Sequence, residues 1–237
     1  MTPERPRGPL IANWTPPPAP APMTLNGTYV RLEPLAADAH AALLYRAFDG
    51  HDWVWDYMSG GPFASAAQFH RWIREETAKD DILYFAIYDK ETAAFGGFGS
   101  YLRIKPGSGS IEVGSIAMAP ALQRTRAATE AMFVMMKWAF DAGYRRYEWK
   151  CDALNRPSRA AAQRLGFSFE GIFRQATVVK GRNRDTAWFA VTDGEWPALC
   201  EAFRLWLDPS NFDAGGQQRD SLRNLTRLVR VSSDPSL

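Results

Sequence analysis

The residues whose types and spacing most clearly suit ligand chemistry form a short basic turn, 123–129, with the sequence QRTRAAT. The turn lies between a predicted strand, 111–118, and a predicted amphipathic helix, so its backbone N–H groups point out of a helix start. Such N–H groups and the helix dipole attract anions, including pyrophosphates. A second helix start, Asn155-Arg156-Pro157-Ser158, follows the next predicted strand. Two helix starts beside two neighbouring strands predict a site for a phosphate-bearing cofactor.

The elements that must position these residues follow from the apolar pattern of the chain. Polar and apolar side chains alternate over 28–35, which is typical of a half-buried strand. Residues 129–142 carry apolar side chains at helical spacing and end at Gly143, a good helix terminator. We therefore expect an α/β (α+β) fold with a mixed, mainly antiparallel sheet flanked by helices. The predicted strands are 28–35, 83–88, 95–102, 111–118, 147–152, 169–179 and 186–191, and the predicted helices are 38–48, one from Ser65, 129–142 and one from Pro157 to Gly166.

Both ends of the chain differ from this pattern. Residues 1–22 are rich in proline, which disfavours helix and sheet, so they predict an arm that Leu10, Ile11 and Trp14 could pin to the body. Residues 23–192 form the predicted core domain. Residues 193–237 predict a helical extension with helices opening near Thr192 and spanning 217–229. We expect the extension to pack on the core; a dimer surface is the alternative.

Composition narrows the class of protein. The chain has 237 residues, of which 46% are hydrophobic and 23% charged, as in a globular enzyme domain. Its net charge of +2 argues against nucleic acid as a partner. Two cysteines give neither a disulfide framework nor metal spacing. Without a long apolar run or an apolar signal core, we expect a cytoplasmic protein that does not enter the membrane.

The basic turn, the Asn155–Ser158 helix start and the sequence LGFSFEGIFRQ at 165–175 together resemble the GNAT superfamily of N-acetyltransferases. The resemblance spans roughly 25–192 and is strongest to the branch related to ribosomal-protein N-terminal acetyltransferases. The family loop is Gln/Arg-x-x-Gly-x-Gly/Ala, which this chain matches at Gln123 and Ala128 but not at Arg126, where the family has glycine. The resemblance implies acetyl-coenzyme A as co-substrate and a sheet splayed between the fourth and fifth predicted strands.

The resemblance also assigns cofactor-binding positions. Backbone groups of the strand entering the splay would hold the pantetheine and the thioester. A side chain at Arg126 brings a Cβ close to the phosphates, which places loop shape or affinity in question. The cofactor-binding residues implied are Ile116, Ala117 and Met118 on the strand, Gln123, Arg124, Thr125, Arg126, Ala127, Ala128 and Thr129 in the turn, and Asn155 and Ser158 at the second helix start.

Acetyl transfer also needs an acid for the leaving thiolate and a base for the amine. Related enzymes imply Ser158 as the acid, because the tyrosine that many members use is replaced here by Ala162. Asn155 and Ser158 could instead only cap the helix. Glu112 is the candidate base, with an ion pair to a neighbouring arginine as the alternative.

Two further routes remain open for the amine proton. Asp185 is a second candidate base, and water could relay the proton, because Thr177 stands where the ribosomal-protein branch has glutamate.

The acceptor site is predicted from the loop HDWVWDYMSGGPF at 51–63. In the family this region lines the acceptor pocket, so Trp53, Trp55 and Tyr57 are candidate substrate-binding residues; core aromatics are the alternative. No metal is expected, because the three histidines are scattered along the chain.

The sequence thus predicts an acetyl-CoA-dependent N-acetyltransferase acting directly on a primary amine of a small molecule or a peptide or protein N-terminus, as a monomer or a homodimer. A non-catalytic acyl-CoA sensor or scaffold is the alternative, because of the departures at Arg126, Ala162 and Thr177.

Overall fold

The computed structural model describes residues 5–237 and contains one eight-stranded sheet in the order β1-β2-β3-β4-β5-β6-β8-β7. All neighbouring pairs are antiparallel except β5 and β6, which are parallel. This confirms the predicted mixed, mainly antiparallel fold. The strands are β1 (Leu25–Asn26), β2 (Val30–Pro34), β3 (Ile82–Asp89), β4 (Ala94–Lys105), β5 (Ser110–Met118), β6 (Arg146–Asp152), β7 (Ser168–Val179) and β8 (Arg182–Thr192).

Helices cover both faces of the sheet. One face packs against α3 and α5, and the other packs against α1 and α2 across β2 to β4. The helices are α1 (Ala37–Phe48), α2 (Ala66–Thr77), α3 (Arg126–Asp141), α4 (Arg156–Arg164), α5 (Trp196–Leu207) and α6 (Leu222–Thr226).

The sheet splits between β5 and β6, at the place predicted between the fourth and fifth sequence-derived strands. Pairing runs from Ser110 opposite Arg146 to Val113 opposite Trp149, and then stops although both strands continue. A β-bulge follows on β5, where Ser115 has a φ of 48° and the register with β4 shifts. Residues 114–118 therefore have strand β4 on one side and no strand partner on the other.

Two glycines of β4 bring that strand close to the end of β5. A Cβ on Gly97 would lie 2.5 Å from the Ala117 carbonyl oxygen, and a Cβ on Gly96 would lie 2.8 Å from the Leu122 Cβ. Both separations are shorter than real contacts, so β4 can lie this close only without side chains at these positions.

A buried carboxylate fixes α3 to the start of β2. Glu130 accepts hydrogen bonds from the backbone N–H groups of Thr28 at 2.8 Å, Tyr29 at 2.6 Å and Val30 at 3.0 Å. Charge-assisted hydrogen bonds of this kind are among the stronger ones in proteins. The helix that follows the basic turn is thus held in a set position on the sheet.

The C-terminal extension packs on α3 through aromatic pairs. The rings of Phe133 and Phe203 lie 5.0 Å apart, and those of Phe140 and Trp196 lie 4.9 Å apart. The helix predicted over 217–229 is shorter than expected, because α6 starts only after Ser221, which caps it by accepting from Asn224 N–H at 3.2 Å. Before it, Asp213 Oδ1 accepts from the N–H groups of Gly215 and Gln217 and so stabilises a loop instead.

The proline-rich arm lies against the body at two points within its described part, 5–22. Trp14 Nε1 donates to the Gly107 carbonyl at 3.3 Å, and the Tyr144 hydroxyl donates to the Pro18 carbonyl at 3.0 Å. Leu10 and Ile11 are exposed. In residues 5–237 no helix combines the length and apolar character needed to cross a membrane.

Candidate functional site

The parallel pair β5–β6 places two helix starts at one edge of the sheet, because the carboxyl ends of parallel strands meet there. Helix α3 starts after β5 and α4 starts after β6. At α3, the Thr125 hydroxyl accepts from the Ala128 N–H at 3.0 Å. The N–H groups of Arg126 and Ala127, in the first turn, have no intrahelical acceptor. They point out of the helix and can bind an anion.

The two arginines of the basic turn have different surroundings. Arg124 is exposed and has a φ of 64°, the left-handed region. Arg126 forms an ion pair with Glu91, and its guanidinium lies 4.6 Å from the Tyr29 ring and 4.9 Å from the Phe212 ring. Arg126 is therefore held by protein groups, and Arg124 is the one available to phosphate. Position 126 is helical, so arginine there causes no backbone strain in place of the family glycine.

The turn is tied to β5 by Gln123, whose Nε2 donates to the Met118 carbonyl at 2.8 Å. Met118 pairs with Gly97 of β4, and Ala117 pairs with Phe98. Ile116 follows the bulge and, like Met118, is half-buried. The backbone groups of these residues that face the split have no strand partner, so they can bind an extended amide chain and a carbonyl oxygen.

At the second helix start, Asn155 caps α4, since its Oδ1 accepts from the Ser158 N–H at 3.1 Å. The Ser158 hydroxyl is not the cap; its oxygen accepts from Trp149 Nε1 at 3.1 Å. Within residues 5–237 the N–H groups of the Asn155 side-chain amide have no hydrogen-bond acceptor, and the Ser158 hydroxyl has the Cys151 thiol as its other hydrogen-bond partner. An amide and a hydroxyl can therefore act together beside the split.

Two further positions near Ser158 bear on the choice of acid. Burial raises the pKa of the Cys151 thiol to about 11, although a hydrogen bond with Ser158 lowers it, so this buried thiol stays protonated. Ala162 is fully buried and carries no polar atom. Ser158 remains the candidate acid that the resemblance implies, with the Cys151 thiol hydrogen-bonded to it.

Glu112 is buried in an ion-pair cluster below the split. Arg103 Nη1 lies 2.6 Å from its Oε1, and Lys150 Nζ lies 2.9 Å from its Oε2. Lys150 also contacts Glu148 at 2.7 Å and the face of the Trp188 ring at 3.6 Å. With both carboxylate oxygens facing cations, the geometry favours the ion-pair interpretation of Glu112 over the base.

Asp185 belongs to the β7–β8 hairpin. Its Oδ1 accepts from the Gln175 N–H at 2.7 Å and from Asn183 Nδ2 at 3.0 Å, and these bonds lower the pKa of Asp185. A lowered pKa makes a carboxylate a weaker base. Thr177 is exposed on β7 and has no carboxylate to offer.

Of the three candidate aromatic residues in the loop 51–63, one side chain is buried and two are exposed. Trp53 and Tyr57 are 54% and 40% exposed, and the Tyr57 hydroxyl donates to the Leu154 carbonyl at 3.3 Å, just before Asn155. Trp55 is 3% exposed and packs against aromatic rings including Phe48, so it supports the loop from behind and presents no surface to an acceptor. Lys180, at the β7–β8 hairpin tip, donates to the Trp55 carbonyl at 2.8 Å.

A carboxylate that the sequence analysis missed lies on the α2 side of the sheet. The Tyr84 hydroxyl donates to Glu76 Oε2 at 3.0 Å. Burial raises the pKa of Tyr84, and a hydrogen bond with Ser115 at the bulge lowers it. A signal was present, since Glu76 stands at helical spacing from Phe69 and Ile73 on the buried face of α2. A carboxylate so placed can take a proton passed through the tyrosine hydroxyl.

Two of the three histidines have separate carboxylate partners. His40 Nε2 lies 3.0 Å from Glu33, and His70 Nε2 lies 2.7 Å from Asp38. Within the described residues, no three His, Cys, Asp or Glu side chains are grouped to hold a metal ion.

Comparison with known proteins agrees with this geometry. A family model for the acetyltransferase (GNAT) domain matches residues 30–168. A GCN5-related N-acetyltransferase from Brucella melitensis is 48% identical, with a TM-score of 0.89 over 92% of this chain and 100% of that one. A protein from Chromobacterium violaceum described as a GNAT-family acetyltransferase is 43% identical, with a TM-score of 0.77 over 84% of this chain and 100% of its own.

A more distant structure shares the fold alone. The microcin C7 self-immunity acetyltransferase MccE, solved with acetyl-CoA and AMP, is 20% identical, with a TM-score of 0.62 over 70% of this chain and 93% of its own. A search of curated proteins found no match. The family model covers more than half of the chain and the first two structures nearly all of it, so the chain belongs to the GNAT family and is an acetyltransferase enzyme.

Proposed function

We propose that the protein transfers the acetyl group of acetyl-CoA directly to a primary amine. The observation that carries the proposal is the split between β5 and β6, bordered by two helix starts that present free polar groups. A thioester that carries phosphates could bind with its phosphates at the α3 start and its thioester in the split. The acetyl-CoA in the MccE structure, which has the same fold, supports this choice of donor.

The turn would bind the pyrophosphate through the N–H groups of Arg126 and Ala127 and the side chain of Arg124. Gln123, Thr125, Ala128 and Thr129 shape the turn and helix start; their N–H or side-chain groups already have partners within the protein. Asn155 would hold the pantetheine amide, and backbone groups of Ile116, Ala117 and Met118 would hold the thioester.

The transfer needs no covalent enzyme intermediate. The neutral amine nitrogen attacks the thioester carbonyl, whose developing negative charge is stabilised by backbone N–H groups of β5. The carbon–sulfur bond then breaks, and the thiolate takes the Ser158 hydroxyl proton. The nitrogen passes its extra proton through water to the Ser158 oxygen, which restores the hydroxyl, and the products are an N-acetyl amine and coenzyme A.

The acceptor would enter from the side of the sheet covered by α1 and α2. Trp53 and Tyr57 give it an aromatic rim, which suits an amine that carries apolar bulk, whether a small molecule or a peptide or protein N-terminus. A closer relation to the ribosomal-protein N-terminal acetyltransferases is also proposed; the Arg174-Gln175-Ala176 element of that branch lies here on an exposed bulge of β7, and Thr177 follows it where the branch has glutamate.

Two measurements test the proposal. Acetyl-CoA should raise the melting temperature in proportion to the logarithm of its concentration, because it binds only the folded state. Thiol release should then appear with one or more members of a panel of primary amines and peptides starting with a free amino group. No thermal shift at millimolar acetyl-CoA would refute the cofactor. A shift without thiol release from any amine would favour a sensor or scaffold.

A further inference from the structure

The segment after α6 crosses α4 and places a carboxylate inside the protein. Asp234 is 3% exposed and forms a two-point ion pair with Arg159 of α4, which is 6% exposed. Arg159 Nε lies 2.7 Å from Asp234 Oδ2, and Arg159 Nη2 lies 2.7 Å from Asp234 Oδ1. Parallel hydrogen bonds of this kind fix the orientation of the guanidinium plane.

The same guanidinium reaches the turn that leads into the candidate site. Arg159 Nη1 donates to the Ala153 carbonyl at 2.7 Å. The Ala153 N–H donates in turn to the Asp185 carbonyl of β8 at 2.8 Å. Ala153 comes two residues before Asn155, so the Arg159 side chain joins the C-terminal segment to the turn that precedes the α4 cap.

Further hydrogen bonds hold the segment along α4 and β7. The Asp234 N–H donates to Gln163 Oε1 at 2.7 Å, and Arg156 Nη2 donates to the Ser236 carbonyl at 3.2 Å. The Val231 N–H donates to the Ser168 hydroxyl at 3.0 Å. These contacts span α4 from its first turn to its last, so the segment restrains the whole helix.

We propose that Asp234 is a positioning residue for the pantetheine half of acetyl-CoA, acting through Arg159 on the turn that carries Asn155 and Ser158. This inference rests on the function proposed above. Asp234 touches neither reacting group. Its carboxylate keeps the guanidinium in the plane that holds Ala153, and that turn directs the Asn155 amide and the Ser158 hydroxyl toward the split.

The charge of Asp234 is essential to this arrangement. A buried guanidinium that loses its counter-charge is strongly destabilised and will turn toward water. Asparagine has nearly the same shape, but it offers one acceptor oxygen in place of two and no charge. Asp234→Asn should therefore release Arg159 from Ala153 without leaving a cavity.

The test compares two ligands that carry the same phosphates. Coenzyme A contains pantetheine, and 3′-phosphoadenosine 5′-diphosphate does not. Asp234→Asn should weaken the binding of coenzyme A by about three-fold to ten-fold, which corresponds to the loss of one hydrogen bond. The affinity for 3′-phosphoadenosine 5′-diphosphate should not change. Titration calorimetry gives both dissociation constants. The control is Asp141→Asn, which removes the exposed Lys137–Asp141 pair on α3 and should alter neither.

Other outcomes have definite meanings. Equal affinity of Asp234→Asn and wild type for coenzyme A, or an equal loss for both ligands, overturns the positioning role while the proposed function stands. If wild type binds neither ligand, the proposed function fails and this inference fails with it. If Asp234→Asn does not fold, Arg159→Lys replaces it; lysine keeps the charge but cannot form the fork, so the same selective loss is expected.

Discussion

The starts of α3 and α4 share the same kind of N-cap but present different polar groups to the edge of the sheet. Each follows a strand at the same edge of the sheet, and each is capped by a side chain that accepts from the N–H three residues later. At α3 the groups facing the edge are backbone N–H groups and the free guanidinium of Arg124. At α4 they are the neutral amide of Asn155 and hydroxyl of Ser158. The first start suits a charged ligand group, and the second suits a neutral one.

The two starts also differ in what holds them. Helix α3 is fixed from within the core, where Glu130 binds the first residues of β2. Helix α4 is fixed by the C-terminal segment, through the buried Asp234. Both contacts join distant parts of the chain, since Tyr29 and Glu130 are 101 positions apart and Arg159 and Asp234 are 75 apart. The difference is that α3 is held by a carboxylate that binds backbone N–H groups, whereas α4 is held by a buried ion pair.

The largest effect should come from the α4 start. If Ser158 protonates the leaving thiolate, Ser158→Ala should lower turnover by about 100-fold to 10,000-fold with little change in acetyl-CoA affinity, because the loss is confined to the transition state. The measurement is thiol release with the first amine found to be acetylated, together with a binding titration.

A structural role for Ser158 gives a different result. Removing the hydroxyl leaves the Trp149 indole N–H without its acceptor, which costs about 1–3 kcal/mol of stability when the group is buried. A lower melting temperature with turnover within a few-fold of wild type would show that Ser158 serves only Trp149, and would leave both helix starts as binding elements without a proton donor.

A smaller effect should separate the two arginines at the α3 start. Arg124→Ala should weaken the binding of coenzyme A by about ten-fold, and the difference in affinity between variant and wild type should shrink at high salt. The affinity for a phosphate-free pantetheine fragment should not change. Arg126→Ala should instead lower stability, because it removes the Glu91 pair and the contacts with Tyr29 and Phe212. The reverse pattern, with Arg126 governing affinity, would mean that its side chain leaves these partners when the ligand binds.

The smallest effect expected is a loss of stabilisation by Asp234 at acid pH. Burial would raise the pKa of Asp234, but the hydrogen bonds from Arg159 and Ser236 outweigh it and the pKa is lowered. A lowered folded pKa gives stabilisation that is present above the unfolded value of about 3.9 and is lost as pH falls through the folded value.

Hydrogen exchange can follow this loss at each helix. Amide protection should fall at the first turn of α4 below pH 4, and Asp234→Asn should remove that dependence. The α3 cap is the neutral hydroxyl of Thr125, so its own bond should not titrate. Equal acid loss at both helices would point to global unfolding.

The order of elements could be predicted from sequence, because alternating strands, helix caps and turns are local signals. The split was implied by the resemblance to the GNAT superfamily and not by those signals. The bounds of α3 and of β4 to β8 moved by only a few residues. The C-terminal helix was overestimated at both ends, because Gln217 belongs to the loop that Asp213 stabilises and the apolar spacing of Leu222, Leu225 and Leu228 continues beyond Thr226, where α6 ends. Local patterns do not show which side-chain bonds compete with a helix.

The site was harder to predict where partners come from distant segments. The turn sequence does not distinguish Arg124 from Arg126. Only the fold shows that Glu91, Tyr29 and Phe212 contact Arg126. Glu112 gave the same difficulty, because Arg103 and Lys150 lie on the two strands beside it. The alternation in the 51–63 loop could not separate Trp55, which faces the core, from Trp53 and Tyr57.

The bare surface of β4 at Gly96 and Gly97 has a consequence for how this protein can vary. At Gly97 the backbones of β4 and β5 lie in contact with no side chain between them, and at Gly96 the β4 backbone lies against the Leu122 side chain. An alanine at position 97 would act as a wedge that pushes the end of β5 toward β6. A single uncharged methyl group at position 97, next to the Ala117 and Met118 backbone that would hold the thioester, would therefore change how the cleft admits its ligand.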